Sequence, residues 1–109
     1  MSRFLALLLL LTSNTLHAEL RLTLFECGHL SFDDISAFGL SNEETPVREL
    51  FVPCYLIQHN AHLMVWDAGL PLTDVGRTDG NTRYQESFLD QLAAMDISAA
   101  DIDFVAFSH

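Results

Sequence analysis

The fold class that the sequence predicts is α/β in the layered α+β sense, a mixed sheet with helix laid beside it. Three stretches predict it. Residues 52–71, VPCYLIQHNAHLMVWDAGLP, hold two apolar runs on either side of the polar turn His59-Asn60-Ala61-His62, which is the pattern of a hairpin. Residues 82–95 set Tyr84, Phe88, Leu89, Leu92 and Met95 on one face of a helix, with Thr82 and Gln85 at capping-box spacing. Residues 102–107, IDFVAF, read as a last strand that delivers Ser108 and His109 at its tip. Neither arm of the hairpin alternates strictly between apolar and polar, so both are expected to be covered on two faces, whereas one helix can cover only one.

Charge narrows the partners. Fifteen acidic residues against five arginines give a net charge of −10. A nucleic-acid binder needs a basic stripe to displace counterions from phosphates, and an acidic membrane surface would repel this chain, so neither partner is expected. Half the residues are hydrophobic, which suits a globular protein kept apart by self-repulsion.

The first 18 residues are expected to be a secretory signal peptide. Arg3 precedes the unbroken apolar run at 4–11, and the polar stretch after it closes on Leu16-His17-Ala18. The run falls short of the roughly 18 residues that cross a bilayer. Cleavage after Ala18 would leave one domain, residues 19–109, in the periplasm or outside the cell, with no membrane attachment; an uncleaved anchor is the other reading, since Leu16 is larger than the residue ideally found three before the cut. Cys27 and Cys54 would both meet that oxidising compartment. A disulfide between them would close a long loop and contribute about 3 to 4 kcal/mol, while two free, buried cysteines are the other reading the residues leave open.

Along the chain, residues 19–27 alternate Leu20, Leu22 and Leu24 against Arg21, Thr23 and Phe25, a half-buried first strand, with Gly28 as a turn or bulge after it. Residues 29–49 read as a long loop, broken by Asp33-Asp34, Gly39, Glu43-Glu44 and Pro46, in which Ser41 and Glu44 could cap one helical turn. A loop of this length is either a solvated surface or a flap over a site. After the hairpin, Asp67-Ala68-Gly69 puts a carboxylate and two small residues where a strand gives way to a loop, and strand ends are where sites are built. A second loop follows through Pro71, Gly76 and Gly80, and Ser98-Ala99-Ala100-Asp101 offers a short turn before the last strand.

The hairpin ending in WDAGLP, the helix FLDQLAAM, the turn SAADID and the strand FVAFSH together resemble the N-terminal part of the metallo-β-lactamase superfamily, and within it the N-acyl homoserine lactonase-like branch of exported hydrolases. The resemblance covers residues 20–109. It implies an incomplete αββα sandwich and a parent enzyme that opens a small-molecule lactone or ester through a zinc-bound hydroxide. In that family a strand ending in Ser-His opens the motif His-x-His-x-Asp-His, whose loop supplies most ligands to two zinc ions. By that resemblance His109 looks like the first zinc ligand and Asp67 like the carboxylate that orients the ligand-bearing loop.

The sequence stops at His109, so the remaining motif residues are expected to be missing, and the chain as written to be a catalytically incompetent fragment that binds no zinc. Catalytic zinc takes about three protein ligands, and one imidazole does not make a site. His59 and His62 read as exposed turn residues, and His29 has no partner by spacing. Asp67 has the alternative of a turn carboxylate capping a loop amide. The competing reading of the whole chain is a small exported binding or structural protein that uses hairpin and flap to hold a partner.

Overall fold

A computed structural model describes residues 18–109. The signal-peptide reading, apart from Ala18, lies outside the described residues. Five strands form one sheet in the order β4-β1-β2-β3-β5, with β1 at Leu20–Ser31, β2 at Glu49–His59, β3 at His62–Trp66, β4 at Thr82–Arg83 and β5 at Phe104–Ala106. Every neighbouring pair is antiparallel except β3 with β5, which run parallel, so the sheet is mixed. Among the described residues the one α-helix, α1 at Phe88–Ala93, is short, and they are mostly β. None of the described helices is long and apolar enough to cross a membrane.

The hairpin forms where the sequence puts it. His59 pairs with His62 across Asn60-Ala61, and Asn60 takes the left-handed φ of 53° that an asparagine tolerates better than most residues. The first strand is longer than expected, because a bulge lets it continue past Gly28. Glu26 pairs with Pro53 and His29 with Phe51, so β1 uses one more residue than β2 over that step. Gly28 sits there at φ 134°, a conformation that L side chains rarely adopt.

The helix is smaller than the periodicity of 82–95 implies. Thr82 and Arg83 are taken by the sheet, opposite Leu30 and His29, and the helix starts only after Ser87. The cap is therefore Ser87, whose hydroxyl accepts from the Asp90 amide at 3.0 Å, and not the expected Thr82. At the far end Asp96 is left-handed and the Ile97 amide reaches back to the Leu92 carbonyl at 3.0 Å, closing the helix in a Schellman turn. Tyr84, Phe88 and Leu92 are buried as expected, but Leu89 and Met95 are not, at 47% and 39% exposure. Tyr84 also serves as a brace, since its phenol oxygen accepts from the Phe88 amide at 2.7 Å, and burial pushes its pKa up.

The core lies between α1 and one face of the sheet. Phe25, Cys27, Cys54, Leu56 and Val65 meet Tyr84, Phe88 and Leu92, with the Phe25 and Phe88 rings edge to face at 5.2 Å. Cys27 and Cys54 are joined as a disulfide inside this core, which decides between the two states the sequence left open. The covered side of β1 is that of Phe25 and Cys27, not that of the leucines. Leu22 and Leu24 are 63% and 56% exposed on the opposite face, beside Tyr55, Ile57, Met64, Trp66 and Phe104 in register. Both sides of this strand are apolar, so alternation alone does not say which one the helix takes. The second face, expected to be covered as well, is bare among the described residues.

Candidate functional site

Parallel pairing brings the carboxyl ends of β3 and β5 to the same edge of the sheet, and those ends carry the two groups singled out in the sequence. Asp67 follows β3 at once, in a left-handed conformation (φ 59°) rare for a residue with a side chain. Its amide donates to the Ala106 carbonyl at 2.8 Å, which extends the parallel ladder by one step. Its carboxylate then accepts twice from one residue, from the Ser108 amide and from the Ser108 hydroxyl, both at 2.8 Å. A residue at φ near 60° persists only where its surroundings fix it, and here the two hydrogen bonds and the ladder do so.

Ser108 carries the contact on to His109, whose Nδ1 lies 2.7 Å from the serine hydroxyl oxygen. A hydroxyl has one hydrogen, and Ser108 commits it to the carboxylate, so Nδ1–H is the donor to the serine oxygen. That tautomer leaves the Nε2 lone pair free to serve as a base or a ligand. The order carboxylate, hydroxyl, imidazole is what the arrangement can use chemically. Ser108 was legible in the sequence only as a neighbour of His109; its role as the link comes from the register of β5.

That register is held from the opposite end of the strands. Asp103, just before β5, accepts from the Leu63 amide through its carboxylate at 2.8 Å and donates its own amide to the Leu63 carbonyl at 2.9 Å. Nothing in the sequence flags this residue, because its partner lies 40 positions away.

The other described histidines, His29, His59 and His62, stand apart. His59 and His62 are exposed at the hairpin turn, as expected, with His62 Nδ1 3.5 Å from Asp103. His29 does have a partner: the bulge turns it toward Glu26 at 2.8 Å, and its ring meets Phe51 edge to face at 5.5 Å. Across residues 32–48, Asp34 accepts from the Ser36 amide and hydroxyl, and Glu44 accepts from the Ser41 amide, so one carboxylate of each acidic pair caps its own turn. Phe32, Ile35, Phe38, Leu40, Val47 and Leu50 line an apolar hollow of about 330 Å³ in this segment. Among the described residues no group of three or more histidine, cysteine, aspartate or glutamate side chains is placed to hold a metal ion.

No family model, curated protein or solved structure matches this chain. Site chemistry therefore stands on the geometry alone.

Acid is expected to loosen this end of the sheet. The hydrogen bonds from the Ser108 amide and then its hydroxyl hold the Asp67 carboxyl below its ordinary pKa, helped by His109 and opposed by desolvation. Asp34, Glu44, Asp79 and Asp101 are lowered as well, by their local donors. A pKa lower in the folded than in the unfolded state gives stability that is complete above the unfolded value, about 4 for a carboxyl, and is lost as pH falls through the folded one. The melting temperature should stay level from neutrality down to about pH 5 and drop below about pH 4. A circular-dichroism melting series that stayed flat to pH 2.5 would contradict this.

Proposed function

We propose that this chain is the N-terminal part of an exported hydrolase of the metallo-β-lactamase superfamily, of the lactonase-like branch, with Asp67 and Ser108 holding His109 as the first ligand of its metal site. The observation that carries the reading is the Asp67–Ser108–His109 chain of contacts at the carboxyl ends of the parallel pair β3 and β5, since sheets that use parallel strands build their sites at that edge. The bare apolar face supports it from another side: strands this apolar are expected to lie beneath a second layer, which the αββα sandwich would supply. A disulfide suits export.

The described residues do not by themselves fit zinc. They offer one imidazole where catalytic zinc takes about three protein ligands, so no step of hydrolysis follows from them. Their own work is to orient the ring by holding its Nδ1 against the Ser108 hydroxyl.

The test is the coding sequence beyond the His109 codon, which is expected to continue as x-His-x-Asp-His. The protein so encoded should bind zinc and open an acyl homoserine lactone or an aryl ester, and Asp67→Asn should weaken zinc affinity about 10- to 100-fold in competition with a chromophoric chelator. Absence of that continuation in every frame, or tight stoichiometric zinc binding by residues 19–109 alone, would sink the reading. One observation favours the non-enzymatic alternative of a small exported binding protein, namely the apolar hollow at residues 32–50. Uptake of an apolar fluorophore there that Phe38→Asp abolishes would speak for it.

A further inference from the structure

The geometry points to the Cys27–Cys54 disulfide as the positioning device for Asp67, a support built under the loop that leaves β3, so that the crosslink acts on the candidate site as well as on the fold. The inference rests on the reading of Asp67, Ser108 and His109 as a site.

The loop is pinned at both ends. Asp67 is tied to Ala106 through its amide, and three residues later the Leu70 amide donates to the Cys27 carbonyl at 3.2 Å. Between them Gly69 lies directly on the crosslink. A Cβ built on it would come within 3.0 Å of Cys54 Sγ and of the Cys27 carbonyl oxygen, and would overlap Cys27 Cβ. Gly69 is also left-handed, at φ 78°, so the chain reverses on top of the sulfur atoms with no side chain of its own in the way. Leu70 in turn fills the space over Gly28, where a side chain would strike it. The Cys27-Gly28 bulge and the Gly69-Leu70 segment are thus two faces of one close contact, with the disulfide in the middle and both cysteines fully buried.

Asp67 needs such a support. Its left-handed backbone is maintained only while its surroundings over-determine it, and its carboxylate must meet two donors of Ser108 at once. A loop free to move on a yielding floor of two thiols or small side chains would keep neither. A general stabiliser, by contrast, would protect every part of the domain equally.

The experiment uses the full chain, oxidised, in three forms: the natural sequence, Gly69→Ala with the disulfide intact, and Cys27→Ala with Cys54→Val, which removes the bond and restores part of the volume. Amide exchange of Ser108 and Asp67 is followed by NMR, with Ser98, whose amide is capped by Asp101 at 2.8 Å, and the hairpin amides as internal standards. Ring ¹⁵N shifts of His109 at pH 8 report its tautomer. Gly69→Ala should speed exchange at Ser108 at least tenfold with Ser98 and the hairpin unchanged, the double cysteine variant should speed it at least tenfold beyond the rise that its lower global stability gives the hairpin amides, and both should shift His109 from the Nδ1–H form toward a mixture. Unchanged Ser108 exchange, or a rise shared equally by Ser98 and the hairpin, overturns the proposal. No zinc or substrate enters these measurements, so they stand or fall apart from the zinc-affinity test of the hydrolase reading.

Discussion

Replacing Cys27 and Cys54 together by alanine is expected to lower the stability of the domain by about 3.5 kcal/mol, the loop-closure value for a crosslink spanning 27 residues. Loop entropy is only part of the loss. Both cysteines are fully buried beside Leu56 and Phe25, so two alanines also leave empty volume in the centre of the core. Domains of this size hold a total of about 5 to 15 kcal/mol, and a loss of this size shifts much of the population toward the unfolded state at moderate denaturant. Urea unfolding followed by tyrosine and tryptophan fluorescence measures it. A shift below about 1 kcal/mol would mean that the crosslink contributes little beyond what β1 and β2 already provide through their long antiparallel register.

Leu56→Ala is expected to cost about 3 kcal/mol, and the informative comparison is Leu22→Ala, expected to cost less than about 1 kcal/mol. The two leucines are chemically the same and stand on adjacent strands. Leu56 is fully buried under α1 against Val65, whereas Leu22 points out of the bare face. Should Leu22→Ala prove as costly as Leu56→Ala, the bare face must be covered in solution by something that the described residues do not supply. Because Leu56 and the disulfide share one cluster, their combined loss will differ from the sum of the two.

How far the sequence could be read depended on the separation between interacting residues. The hairpin was legible because its signals are local: two apolar runs, a four-residue polar turn, and an asparagine for the left-handed step. The same holds for the short turn at Ala99–Asp101, whose cap lies within four residues. Periodicity overstates the helix because Thr82 and Arg83 have helical spacing to Tyr84 and Phe88, yet their backbone groups are claimed by β1, over 50 residues earlier. Periodicity counts side chains and is blind to that competition. The leucine side of β1 was ambiguous for a similar reason, since the choice of face is made by α1, which packs against Phe25.

At the candidate site, Asp67 and His109 were visible as residue types at strand ends, and their approach follows from the parallel pairing of β3 with β5. Three further residues were out of reach. Ser108 matters through the register of β5, Gly69 through what lies beneath it, and Glu26 as the partner of His29 only because a bulge brings residues three apart to the same side.

The two hydrogen bonds between Asp103 and Leu63 have a consequence at the other end of the same two strands. A short parallel pair is poorly guarded against slippage, and sliding β5 by one position would exchange Phe104 for Val105 on each face and set Phe107 or His109 against Asp67 in place of Ser108. Neither substitute brings a hydroxyl. Asp103 thus acts as a gauge block, setting how many peptide units separate the start of the last strand from its tip, and with that count whether acid and imidazole meet at all.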